Sequence, residues 1–145
     1  MKNSVELVCS ISTTNIASPL GIEIWLDNQK LLDIEHVIDP VAFLHEFSDD
    51  EANHVLIFKM KNKTPDSTVV DGSGQIVSDS CLIIEKVSFD GIELQQVFFD
   101  TATYTHNYNG NGLDVTEKFY GKMGCNGQVQ LDFTAPVYLW LLEHM

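Results

Sequence analysis

Glu23-Ile-Trp-Leu-Asp-Asn-Gln-Lys-Leu-Leu-Asp-Ile34 and Lys86-Val-Ser-Phe-Asp-Gly-Ile-Glu-Leu-Gln-Gln-Val97 are two writings of one pattern. Superposed, Ile24 matches Val87, Leu26 matches Phe89, Asp27-Asn28 matches Asp90-Gly91, Leu31 matches Leu94 and Ile34 matches Val97. Each copy reads as a strand with alternating inward side chains, a two-residue turn, and a second strand. Asp-Asn and Asp-Gly suit that turn because both central residues need positive φ. Two hairpins of one design predict a two-sheet β protein.

Working outward, residues 4–11 alternate loosely, as an edge strand would. His54 to Lys61 is apolar on both faces, which predicts a central strand. Residues 62–80 are dense in turn formers and read as a surface excursion, with Asp71-Gly72-Ser73-Gly74 as the tip of a small hairpin. Cys81 to Phe89 runs as a strand into the repeated turn, and 92–99 continues as another. Residues 100–114 read as a polar loop and Glu117 to Met123 as a strand. In Gln128–Thr134, Val129, Leu131 and Phe133 alternate with polar neighbours. Asp39-Pro40 is a good helix start, so 41–47 reads either as helical turns or as an irregular strand. The tail after Pro136 reads as a closing strand or a packed terminal turn. The fold expected is all-β: one domain over 1–145, an antiparallel two-sheet jelly-roll-like sandwich with at most one short helix near 40–47.

Composition narrows the partners. The net charge is −13, from 8 basic and 21 acidic residues. Nucleic acid and anionic membranes are therefore excluded as partners, since both are bound through basic side chains. A strong negative balance instead points to solubility, cation binding or docking onto a basic surface. The three cysteines, Cys9, Cys81 and Cys125, form no Cys-x-x-Cys pair and read as reduced thiols. No signal-peptide-like or membrane-length apolar run is found, so the location expected is a cytoplasm or a virion assembled there.

Catalytic patterns are thin. There is no Gly-x-Ser-x-Gly, no zinc spacing and no phosphate-cradling loop. Asn107-Tyr-Asn-Gly-Asn-Gly112 has the alternating oxygens and sixth-position glycine of a calcium loop, but Asn107 stands where Asp is wanted and Lys118 where the bidentate Glu should be. A calcium site drawn from separate loops would use Asp27, Asp49, Asp71 and Asp90, because hard cations accept any converging oxygens. The loop has a second reading. Tyr104, His106, Asn107, Tyr108, Asn109 and Asn111 are residue types that stack on sugar faces and hydrogen-bond to hydroxyls, and Trp25 would be a second platform.

At the repeated turns, and at His54-x-Leu56-x-Phe58-x-Met60 followed by Asn62-Lys63-Thr64, the chain resembles the calcium-dependent, xylan-binding type of carbohydrate-binding module. Through Phe119-Tyr120-Gly121, Gly124-Cys125-Asn126-Gly127 and Pro136-Val137-Tyr138-Leu139-Trp140 it also resembles small structural proteins of tailed phages of marine bacteria. These resemblances imply a β-sandwich that is not an enzyme. The main expectation is a recognition or scaffold protein of a phage virion (decoration, tail or fibre-associated), with other protein subunits as partners and glycans at its loops. The alternative is a freestanding carbohydrate-binding module with Ca2+; a small hydrolase is the third reading.

Overall fold

The computed structural model describes residues 4–64, 67–94 and 96–145. Among these residues, thirteen strands and two short helices follow one another in the order β1 (Ser4–Thr13), β2 (Leu20–Leu26), β3 (Gln29–Val37), β4 (Val41–Ser48), β5 (Asn53–Lys61), β6 (Thr68–Val70), β7 (Ile76–Asp79), β8 (Leu82–Phe89), β9 (Ile92–Glu93), α1 (Gln96–Thr101), β10 (Thr103–His106), β11 (Val115–Lys118), β12 (Lys122–Met123), β13 (Gly127–Thr134) and α2 (Val137–His144). One sheet runs β12-β8-β1-β4, with β9 also on β8. The other runs β11-β10-β13-β5-β2-β3, and β6 pairs with β7 as a separate ribbon. All pairings are antiparallel. The expected two-sheet β-sandwich is the architecture found.

Period-two burial explains the layering. Val5, Leu7, Cys9 and Ile11 of β1 face Ile22, Ile24, Leu56, Phe58, Val129 and Leu131 of the opposite sheet in one apolar core. Both echoed turns have the expected backbone: Asp27 and Asn28 at φ 51 and 68, Asp90 and Gly91 at φ 52 and 82. They lie in different sheets. The second copy is cut short. After Ile92–Glu93 the chain turns into α1, because helical spacing lets the consecutive Val97 and Phe98 both be buried.

Residues 41–48 are strand, one of the two forms the sequence left open, with Phe43 and Phe47 buried. Other elements differ from the expectation. Among the described residues the helices are α1 and α2. In α2 the i, i+3, i+4 set Val137, Trp140 and Leu141 is buried against the sandwich. A helix too short to stand alone is held by that packing. β1 is a central strand of its sheet, between β8 and β4, where an edge was expected. Among the described residues no helix is long and apolar enough to cross a membrane.

Candidate functional site

The site is built where the end of the six-stranded sheet meets the loop that carries the chain across to the other sheet. β10 points Tyr104 and His106 inward, and both are buried. The Tyr104 hydroxyl accepts a hydrogen bond from Cys125 N at 2.8 Å and donates one to Cys125 O. Burial pushes this phenol's pKa well up, so it remains a neutral strut between β10 and the 124–126 turn. His106 Nδ1 accepts from Tyr108 N at 3.3 Å, which leaves Nε2 to donate to Glu117 Oε1 at 3.0 Å. The Tyr108 ring meets the imidazole edge-on at 4.8 Å.

Past Lys118 the chain leaves the sheet. Phe119 is fully buried and packs edge-to-face on Phe98, at 5.6 Å, and on Tyr104, at 6.1 Å. Anchoring that ring turns its neighbour Tyr120 outward, 73% exposed. Gly121, at φ 96, then bends the chain back into β12. The result is an open depression of about 380 Å³. Tyr104, His106, Glu117 and Cys125 line it together with Lys118, Tyr120 and Lys122. It offers an aromatic face, a carboxylate and two ammonium groups, a set suited to holding a polar ligand.

Cys125 and His106 do not form a nucleophile–base pair here. Burial raises the pKa of the Cys125 thiol, so it is not a ready nucleophile. Both nitrogens of His106, the imidazole that lines the same depression, are already taken by Tyr108 N and Glu117.

The loop residues singled out in the sequence divide by role. Tyr104 and His106 are walls, and Tyr108 adds a half-exposed ring. The three asparagines build the loop itself. Asn107 Oδ1 accepts from Gly110 N at 2.8 Å, Asn109 Oδ1 accepts from Asn126 N at 2.8 Å, and Asn111 Nδ2 donates to Tyr108 O at 3.1 Å. Trp25 stands apart on β2, paired with Ile57 of β5. Its Nε1 donates to Glu23 Oε1 at 2.8 Å, and Lys30 Nζ sits 5.6 Å from the ring centroid. Glu117, Lys118, Tyr120 and Lys122 were not identified as site residues from the sequence. The available signal was the pair of lysines flanking Phe119-Tyr120-Gly121 in a chain so short of bases.

The four aspartates weighed for calcium have separate structural work. Asp27 Oδ1 accepts from Val55 N at 2.8 Å and Asp27 Oδ2 meets His54 Nδ1 at 2.5 Å. Asp49 accepts from Val137 N at 3.2 Å. Asp71 accepts from Ser73 N, Ser73 Oγ and Gln75 N in its own turn. Asp90 accepts from Glu6 N at 2.8 Å. No group of three or more His, Cys, Asp or Glu that could hold a metal ion forms among the described residues.

No family model matches the chain. No curated protein matches it either. Among solved structures, the selenomethionine form of vCBM60, from a study titled as linking two families of calcium-dependent carbohydrate-binding modules by circular permutation, is similar at 9% identity and a TM-score of 0.50. The match covers 88% of this chain and 89% of that one. vCBM60 in complex with galactobiose is similar at 8% identity and a TM-score of 0.49, covering 87% of this chain and 96% of that one. At such identity the first likeness establishes a shared fold.

Proposed function

We propose that this chain is a non-catalytic glycan-binding sandwich whose ligand lies against Tyr120 in the β10–β11 depression. The observation that carries this reading is the exposed Tyr120 ring, held out by its fully buried neighbour Phe119 beside hydrogen-bonding side chains. With only two side-chain torsions to order, such a ring offers stacking area at little entropic cost. The fold shared with a calcium-dependent carbohydrate-binding module adds support by analogy. The four aspartates weighed for calcium point to separate hydrogen-bond partners, so this reading assigns them no calcium. Recognition here rests on side chains. Affinity electrophoresis of the whole chain through gels carrying soluble polysaccharides, beside Tyr120→Ala, tests the reading: retardation of the native chain and free migration of the variant are expected.

The virion-subunit reading stands second, favoured by one feature. The β6–β7 ribbon exposes Val69, Val70, Ile76 and Val77, an apolar surface suited to a protein neighbour. A mass in solution above the 16.3 kDa chain that falls on Val70→Lys would support it.

A further inference from the structure

From the charges around the Tyr120 depression we infer that its ligand is an anionic sugar, a glycan bearing carboxylate or sulfate groups. This deepens the glycan-binding reading and rests on it. The lysines of this acidic chain have different fates. Lys30 and Lys61 are held by the carboxylates of Asp33, Glu23 and Glu35, and Lys63 by Asp79. Lys118 and Lys122 are both exposed and line the same depression. Neither forms an ion pair with another described residue; Lys59 and Lys86 also form none, but they do not line this depression.

One acid, Glu117, lines the depression with them, and its Oε1 accepts from His106. The lining therefore holds two ammonium groups without ion pairs to other described residues together with a stacking ring, in a molecule whose net charge is −13. The overall negative field does not cancel this local pair at physiological salt, where screening acts beyond about 8 Å. An ammonium flanking an aromatic face is a fitting partner for a ring substituent with negative charge, whereas a neutral glycan would leave both lysines unused.

The test uses matched probes on the whole chain near physiological salt: oligogalacturonate and its methyl ester, glucuronate-bearing and unsubstituted xylo-oligosaccharides, and sulfated and desulfated galactan oligosaccharides. Binding is read by titration calorimetry. Within each bound pair the acidic member is expected to bind about 5-fold or more tighter, as two exposed charge contacts of ordinary strength would give. Carboxylated and sulfated pairs distinguish the source of the charge. Lys118→Gln with Lys122→Gln, both exposed and outside the core, is expected to erase that difference at an unchanged melting temperature. Equal binding within every bound pair, or a preference that survives the double substitution, overturns the inference and leaves the glycan reading intact. Absence of binding to every probe overturns both.

Discussion

Lys63 Nζ lies 2.7 Å from Asp79 Oδ1, with the lysine side chain only 3% exposed. The same ammonium donates to Gly124 O at 2.5 Å, and Asn126 closes on both the N–H and the carbonyl of Lys63 at 2.9 Å. One buried charge thus ties the base of the β6–β7 ribbon to the turn that Tyr104 braces at the site. Burial opposes the charge on Asp79, but the bonds from Lys63 and Thr68 outweigh it and hold its pKa below the usual carboxylate range.

Truncating Lys63 leaves Asp79 without its cation. Lys63→Met is expected to lower stability by about 2–4 kcal/mol. Urea midpoints measure this, and adding Asp79→Leu should recover part of the loss, because the isolated charge is removed.

Stability should also depend on His54. Its ring is buried against Phe133 at 5.3 Å, with Asp27 on Nδ1 and Asp50 2.9 Å from Nε2. Burial disfavours the imidazolium, but the two carboxylates outweigh it and raise the pKa above the ordinary value of 6.5. A raised folded-state pKa contributes stability that is complete below the unfolded value and is lost as pH rises through the folded one. Unfolding midpoints should therefore fall as the pH rises from the ordinary imidazole value of 6.5 through the raised one, and His54→Gln should flatten that part of the profile. A native profile already flat there would contradict the bridge.

Gly127 of β13 lies opposite His106 of the site wall. A Cβ there would lie 2.3 Å from Thr105 O and 2.9 Å from His106 Cβ, a clash with backbone that cannot rotate away. Gly127→Ala is expected to cost about 2–3 kcal/mol and to weaken ligand binding by moving His106. Chemical denaturation and calorimetry check the two effects.

Calcium should leave the protein unchanged. A site present at about tenfold excess of cation over Kd would add ~1.4 kcal/mol. Thermal melts with calcium and with chelator should coincide, and binding of any retained glycan should survive chelation. A calcium-dependent melting shift would mean that the aspartates rearrange to converge.

The fold was legible wherever strand period and turn chemistry agreed. Asp27-Asn28 and Asp90-Gly91 take the positive φ values their residue types favour, and β5 is central as its two apolar faces require. The helices were not legible for a physical reason. Val97 with Phe98, and Val137 with Trp140 and Leu141, are stretches too short for intrinsic helix stability, so only the core they pack on selects the helix. The depression was half legible. Tyr104 and His106 were named from residue type, but the outward turn of Tyr120 depends on the burial of Phe119 against Phe98, a contact between segments distant in the chain. The asparagines looked like ligand groups because amides serve loops and sugars equally well.

The most direct test is calorimetric titration of the native chain and of Tyr120→Ala with whichever polysaccharide fragment retards the native chain in a gel. Loss of at least about tenfold in affinity, about 1.4 kcal/mol, with a melting temperature unchanged is the outcome that agrees with a glycan held against this ring. Undiminished affinity in the variant, or a native chain that no glycan retards, would contradict it.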